Sequence, residues 1–256
     1  MGLDYQDVSY ESPLGDMAAW KIGSGEGTVW AVHVHGWRAS RREALRSLPT
    51  YARAGITSLV IDYRNDPDEP ADPSGIYRFG RSEWADVEGA VQYAIDHGAQ
   101  QLVLVGYSTG AALDLAFLQN SPLADRVSAV VFDSPNVDMG ETVRFAATKR
   151  TLPGTSIAVP ASLTAVAMWL SDLRWDVSWS EIDYVDRAAQ TIQVPTLVFH
   201  GLDDDRVPVE VSRRLATQAP GWVRLVEVEG AGHVTSWNVD PGRYEQTLLD
   251  FLEQSH

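Results

Sequence analysis

Short apolar runs alternate with amphipathic stretches along most of the chain. Eight runs that alternate in polarity or are rich in β-branched residues predict strands at residues 5–10, 17–22, 28–35, 56–61, 102–107, 127–132, 194–199 and 223–228. The first two runs flank the turn residues Ser12, Pro13 and Gly15, which favour an antiparallel hairpin.

Helical patterns lie between the later runs. The clearest apolar residues at three- and four-residue steps are Trp84, Val87, Val91 and Ile95, followed by Tyr244, Leu248 and Leu252 near the C-terminus. Repeated strand–helix–strand order predicts an α/β fold, with a mostly parallel central sheet covered by helices on both faces. We expect one domain over residues 1–256, with ligands at the carboxyl ends of the strands.

One segment, residues 137–192, interrupts this alternation and contains no clear strand. An insertion of this length in a compact α/β domain is usually a lid or a binding element, so we expect a helical lid. Apolar and aromatic side chains in or near this lid are candidate substrate-binding residues, namely Met139, Trp169, Trp175, Trp179 and Tyr107. The tryptophans could equally form a small core of the insertion.

Composition narrows the possible partners. The chain has 20 basic and 35 acidic residues, a formal net charge of -15, and no cysteine. Such a surface repels phosphate backbones, so a nucleic acid is not an expected partner. The absence of cysteine excludes disulfides and thiolate sites and fits a cytoplasmic location, and we expect neither a signal peptide nor a membrane span.

The pentapeptide Gly106-Tyr107-Ser108-Thr109-Gly110 follows a predicted strand and precedes a helix-favouring stretch. This context is typical of a nucleophile elbow, in which a tight turn exposes the serine hydroxyl. A serine hydroxyl needs a base to remove its proton and a third group to orient that base. Ser108 is therefore the candidate nucleophile.

His233 is the candidate base. It lies in a glycine-rich loop, Gly230 to His233, just after the last predicted strand. We expect the remaining histidines to be structural or to lie at a helix end or in the tail: His33, His35, His200, His97 and His256.

The acid should follow a strand between the serine and the histidine. Asp203, Asp204 and Asp205 occupy that position, and Asp133 at the end of another strand is the alternative. The order serine, aspartate, histidine is that of α/β-hydrolases. Oxyanion donors are expected from the backbone N–H groups of Thr109 and of Trp37, which follows the third strand.

Together these motifs resemble the α/β-hydrolase superfamily, in particular its serine esterases and serine peptidases, over nearly the whole chain. The motif Gly-x-x-Asp-x-x-Val-Pro, from Gly201 to Pro208, selects Asp204 among the three aspartates. The family's Asp-x-Arg-Gly motif appears as Asp62-Tyr63-Arg64-Asn65, with asparagine in place of glycine. The resemblance implies neither a metal nor an organic cofactor, and Asp62 and Arg64 are expected to pair with each other.

The expected activity is hydrolysis of a small to medium, mainly uncharged carboxylic ester through an acyl-enzyme. Two alternatives use the same three residues: an aminopeptidase or amidase, for which Asp172 or Glu181 could hold an amine, and a thioesterase. A non-catalytic small-molecule binder on the same fold is the alternative from another class of protein. The oligomeric state and the identity of the acyl and alcohol groups stay open.

Overall fold

The computed structural model describes residues 2–23 and 27–255; His256 lies outside this range. Within it, eight strands form a single sheet. They are β1 (Tyr5–Ser12), β2 (Gly15–Ile22), β3 (Val29–Val34), β4 (Thr57–Ile61), β5 (Gln101–Tyr107), β6 (Val127–Asp133), β7 (Thr196–Gly201) and β8 (Val223–Val228). Each corresponds to a predicted strand.

The sheet has the strand order β1-β2-β4-β3-β5-β6-β7-β8. β1 pairs antiparallel with β2, and β2 pairs antiparallel with β4, whereas the pairs from β3 to β8 are parallel. The predicted mostly parallel sheet with an N-terminal antiparallel hairpin is confirmed. All parallel strands therefore present their carboxyl ends at one edge of the sheet.

Helices cover the sheet and supply its crossovers. They are α1 (Leu48–Arg53), α2 (Trp84–Asp96), α3 (Gly110–Asn120), α4 (Met139–Thr148), α5 (Ala161–Trp175), α6 (Ala188–Thr191), α7 (Val209–Gln218), α8 (Ser236–Val239) and α9 (Pro241–Gln254). A 3₁₀ helix, Arg41–Arg46, precedes α1. In the part of the chain that is described, no helix combines the length and apolar character needed to cross a membrane.

Two apolar cores lie on opposite faces of the sheet. On β5, Leu102 and Leu104 belong to the core beneath α2 and α3, whereas Val103, Val105 and Tyr107 belong to the core beneath α1 and α9. Successive side chains of a strand point to opposite faces, so a run that is buried on both faces must be apolar throughout. This is why β5 reads as one continuous apolar run.

Residues 137–192 contain α4, α5 and α6 between β6 and β7. Their inner side joins the core through Val137, Ile182 and Val185. One side of α5 is open to solvent, with Trp169 63% and Leu173 74% exposed. The segment is thus helical, as the sequence predicts, and it is anchored to the body of the fold at both of its ends.

The expected pairing of Asp62 with Arg64 is wrong. The Arg64 guanidinium binds both carboxylate oxygens of buried Asp86 at 2.7 and 2.8 Å, and it also contacts Asp72 at 3.2 Å. Asp62 instead pairs with Arg41 at 2.7 Å. β4 ends at Ile61 and the chain turns at Arg64 and Asn65, so the same-face spacing of a strand does not apply to Asp62 and Arg64.

Asn65 takes the left-handed conformation that a glycine would favour, with φ +68°. Asparagine tolerates this region better than other non-glycine residues. Its side-chain oxygen accepts a hydrogen bond from Asp72 N at 2.9 Å, which ties the loop after β4 together. The substitution of asparagine for the family glycine therefore leaves the turn in place.

Candidate active site

Ser108 lies at the sharp turn between β5 and α3. Its φ of +50° is in the left-handed region, which is costly for a non-glycine residue and is typical of functional positions. The turn is held by hydrogen bonds from Ser108 N to Asp133 O at 3.0 Å and from Asn136 N to Ser108 O at 2.9 Å. The sequence-predicted elbow geometry is present in the structure.

Gly110 is required because β3 passes directly behind this turn. A Cβ atom on Gly110 would lie 2.0 Å from the carbonyl oxygen of Val34. No side chain fits at that distance, so the first turn of α3 can approach the end of β3 only with glycine here. The second glycine of the pentapeptide thus brings the serine turn against the loop that follows β3.

Ser108, His233 and Asp204 form a continuous chain of hydrogen bonds. Ser108 Oγ lies 2.9 Å from His233 Nε2, and His233 Nδ1 lies 2.7 Å from Asp204 Oδ2. Because the carboxylate can only accept, Nδ1 carries the proton and Nε2 is free to accept from the serine hydroxyl. This is the tautomer that a general base needs.

Asp204 is buried and holds its negative charge. Burial alone would raise its pKa, but hydrogen bonds from His200 and His233 outweigh burial and lower it well below the ordinary value. The backbone N–H groups of Arg206 and Val207 donate to its other oxygen at 2.8 and 2.9 Å. The carboxylate is therefore fixed in position and stays ionised at neutral pH.

Gly201 brings the aspartate loop to the histidine loop. A Cβ atom on Gly201 would lie 2.2 Å from Ala231 O, and Asp203 N donates to the same carbonyl at 3.0 Å. Asp203 and Asp205 are exposed. Of the three candidate aspartates, only Asp204 contacts His233 in the described structure.

Asp133, the alternative acid, forms no hydrogen bond with His233 in the described structure. Its carboxylate contacts the hydroxyls of Ser134, Ser236 and Tyr244, each at 3.4 Å. Burial raises the pKa of Asp133 to about 6, with Arg46 opposing the shift. The Asp133 carboxyl therefore contacts hydroxyl groups near the serine turn and does not bind the imidazole of His233.

Two residues beside Ser108, Trp37 and Thr109, have backbone N–H groups without a protein acceptor among the described residues. Both residues line the same cavity as Ser108. These are the two residues that the sequence nominates as oxyanion donors. Unpaired donors beside the nucleophile are what a developing oxyanion requires.

Two ionisable side chains, those of Glu43 and His35, bind the backbone of the loop that carries Trp37. Glu43 accepts a hydrogen bond from Gly36 N at 2.7 Å, and His35 donates from Nδ1 to Gly36 O at 2.9 Å. Burial opposes a charge on His35, but Asp66, 2.9 Å from Nε2, and Asp62 outweigh burial and raise its pKa. Both ring nitrogens of His35 thus contact acceptors, and the side chain fixes the peptide next to Trp37.

His35, Asp62 and Asp66 are also close enough to share a metal ion. Their atoms are already committed to one another and to neighbours: Arg41 binds Asp62 at 2.7 Å, and Tyr63 N donates to Asp66 at 2.8 Å. These ion pairs and hydrogen bonds account for the cluster without a metal.

A cavity of about 740 Å³ opens above Ser108. Of the five candidate substrate-binding residues, Met139 and Trp179 line it. Trp179 is oriented by a hydrogen bond from its Nε1 to Met168 O at 2.9 Å. The volume of the cavity is in the range of small-molecule binding sites.

The other three candidates lie elsewhere. Tyr107 is buried on the opposite side of the turn, where its hydroxyl is 2.6 Å from Ser47 Oγ, because neighbouring residues of a strand face opposite ways. Trp169 and Trp175 are more than half exposed and do not reach the cavity, since they lie on the solvent side of α5. We correct the expectation for these three residues accordingly.

Sequence reasoning missed several polar residues in the cavity wall, among them Glu43 and Asn136. Asn136 N fixes Ser108 O, and its side-chain oxygen accepts from Thr142 at 2.8 Å. Neither residue belongs to a motif. Asn136 could have been suspected because it follows a parallel strand, whereas Glu43 gives no such signal.

The chain matches the sequence model of the Alpha/beta hydrolase family over residues 31–247, and it therefore belongs to that family. Over 68 residues it is 41% identical to a protein of Pseudomonas savastanoi pv. phaseolicola named "Putative carbamate hydrolase RutD". That match covers 27% of this chain and 26% of the curated relative, about a quarter of its length.

Solved structures show the same fold at low sequence identity. The esterase Pf2001 of Pyrococcus furiosus has a TM-score of 0.75 at 19% identity, covering 99% of this chain and 93% of the other. A thermophilic esterase of Thermogutta terrifontis, solved with malate bound, has a TM-score of 0.66 at 18% identity, covering 98% and 99%. Est1E of Butyrivibrio proteoclasticus, solved with ferulic acid, has a TM-score of 0.71 at 16% identity, covering 97% and 98%.

Proposed function

We propose that this member of the α/β-hydrolase family is a serine hydrolase that cleaves carboxylic esters through an acyl-enzyme. The observation that carries the proposal is the unbroken chain of hydrogen bonds from Ser108 through His233 to Asp204, beside two unpaired backbone N–H groups. Esterases among the structures of the same fold are consistent with this choice.

In the proposed mechanism each group has a defined role. Ser108 Oγ attacks the ester carbonyl carbon while His233 Nε2 takes the hydroxyl proton. The N–H groups of Trp37 and Thr109 stabilise the oxyanion, and Asp204 stabilises the imidazolium. His233 then protonates the departing alkoxide, and a water molecule, activated by the same imidazole, releases the acid and restores Ser108.

Ester hydrolysis is favoured over aminopeptidase activity because the two carboxylates expected to hold an amine have other partners in the described structure. Asp172 accepts a hydrogen bond from Ser178 N, and Glu181 pairs with Arg81 at 2.7 Å. Neither carboxylate lines the described cavity. Glu43 does line it but is bound to Gly36 N. A carbamate is a second candidate, supported by the 41% identity to the relative with that name.

The catalytic assignment is tested by replacing each member of the triad. Ser108→Ala and His233→Ala should each lower kcat on a 4-nitrophenyl ester by on the order of 10⁶, to the limit of detection. Asp204→Asn should cost on the order of 10⁴, because an amide there favours the wrong imidazole tautomer. Asp133→Asn serves as the matched control and should retain activity; full activity in Ser108→Ala would refute the proposal.

The scissile bond is tested with matched acyl compounds. We expect the 4-nitrophenyl ester to react faster than the corresponding anilide and thioester with the same acyl group. Faster turnover of the anilide would indicate an amidase, and faster turnover of the thioester a thioesterase. The cytoplasmic location rests on composition alone and stays a prediction.

A further inference from the structure

Four basic side chains line the cavity of a strongly acidic protein. The chain has a formal net charge of -15. Among the residues lining the cavity, however, are four basic ones, and the acidic residues are Glu43 and Asp205. Glu43 is already engaged with Gly36 N. The basic residues are Arg38, Lys149, Arg150 and Arg206.

These four cations are not neutralised by carboxylates. Lys149 Nζ donates to a backbone carbonyl, Asp205 O, at 2.9 Å, and the Arg38 guanidinium lies 5.2 Å from the ring centre of Trp37. Within the described ranges, none of the four forms an ion pair. Some arginines outside the cavity do pair with acidic side chains, as Arg64, Arg81 and Arg214 show.

The cations come from separate elements that meet at the cavity. Lys149 and Arg150 follow α4, where a helix C-terminus favours positive charge. The helix dipole does not account for Arg206, which belongs to the loop of Asp204, or for Arg38 after β3. The contact between Lys149 and Asp205 O brings the end of α4 against the loop of Arg206. Three cations thus line one side of the cavity.

We propose that the substrate is an anionic ester, whose negative group binds near Lys149, Arg150 and Arg206 while its carbonyl lies at Ser108. This inference rests on the proposed ester hydrolysis and names the substrate class. Unpaired cations along a cleft focus the local field and can raise the capture rate of an anion by about tenfold or more. An anionic ester thus replaces, as the proposed substrate, the mainly uncharged ester that the sequence suggests.

Apolar side chains complete such a site. Phe79, Met139, Val143 and Trp179 line the same cavity and can contact the carbon chain between the two polar groups. A four- or five-carbon diacid esterified at one end combines both features. We therefore use the mono-4-nitrophenyl ester of glutaric acid as the probe and its methyl ester, in which a neutral ester replaces the carboxylate, as the control. The spontaneous rate of each is subtracted, because the free carboxylate also attacks its own nitrophenyl ester.

The test compares kcat/KM for the two probes. At low ionic strength we expect about a tenfold preference for the free acid, which declines as sodium chloride is added. In the double variant Arg150→Gln/Arg206→Gln the preference should fall at least about fivefold. Arg224→Gln removes an exposed cation on β8, outside the cavity, and should leave the preference unchanged.

The possible failures are distinguishable. If the methyl ester is hydrolysed at least as well as the free acid, or if the preference survives in the double variant, the anionic-ester inference is wrong while ester hydrolysis stands. If neither probe is hydrolysed and Ser108 takes up no acyl group, both the proposed function and this inference fall.

Discussion

At the scale of single residues, Val234 has an unfavourable backbone conformation immediately after His233. Its φ is +51°, which is rare for a β-branched side chain. Two contacts hold it there: Val234 N donates to Ser134 Oγ at 3.0 Å, and Arg46 Nη1 donates to Val234 O at 2.7 Å. The position of the imidazole therefore depends on groups that lie outside the triad.

Replacement of Arg46 tests this dependence. Arg46→Met removes the bonds to Val234 O and to Asn238 Oδ1. We expect kcat to fall roughly tenfold with little change in KM, because Arg46 positions His233 without lining the cavity. The control is Arg42→Met on the same 3₁₀ helix. An unchanged kcat in a folded Arg46→Met protein would contradict this role.

Asp133 makes stability depend on pH. Burial raises its folded-state pKa to about 6, so the native state holds this proton more tightly than the unfolded chain does. The stability that Asp133 contributes relative to a neutral residue is thus present at low pH and is lost as pH rises from about 4 to about 6.

Asp133→Asn removes this dependence. We expect the free energy of unfolding of the variant, relative to the wild type, to increase by about 2 kcal/mol between pH 4.5 and pH 8, as measured by urea denaturation. Other titrating groups are common to both proteins and cancel in the comparison. A constant difference across this range would show that Asp133 has an ordinary pKa in the folded protein.

At the scale of elements, α5 and the loop after it present their tryptophans to different surroundings. Trp179 faces the cavity and donates to Met168 O, whereas Trp169 is exposed on the outer side of the helix. The insertion therefore supplies one aromatic wall to the cavity and an apolar face to solvent. Only the first can contact a substrate at Ser108.

Two alanine variants separate these environments. Trp179→Ala should lower kcat/KM for a 4-nitrophenyl ester about tenfold, the loss expected from roughly 1.4 kcal/mol of apolar contact. Trp169→Ala should leave kcat/KM within a factor of about two of the wild type. A larger effect from Trp169→Ala than from Trp179→Ala would mean that α5 turns its outer face to the substrate.

Elements with a local signal are predictable from sequence. The strands could be predicted because each is a short apolar run between turn residues, and α2 and α9 because their apolar residues recur at helical steps. Tyr107 was misplaced although the alternation of β5 contained the answer, since Val103, Val105 and Tyr107 share one face. The orientation of α5 has no such signal, because apolar residues occur all around it.

At the scale of the whole molecule, the parallel sheet brings distant parts of the chain together at one of its edges. The loop of Trp37 follows β3, Ser108 follows β5, Asp204 follows β7 and His233 follows β8. Each of these could be found because a short motif marks it. The cationic side of the cavity could not, because Lys149, Arg150 and Arg206 come together only through the packing of α4 against the loop after β7.

The central claim is that Ser108 is an activated nucleophile, and covalent labelling tests it most directly. The folded protein is treated with a fluorophosphonate, its intact mass is measured, and the modified peptide is mapped. We predict a single adduct on Ser108, little labelling in His233→Ala, and none in Ser108→Ala. Folded wild-type protein that takes up no label, or takes it up at another residue, would contradict the account and favour a non-catalytic binder.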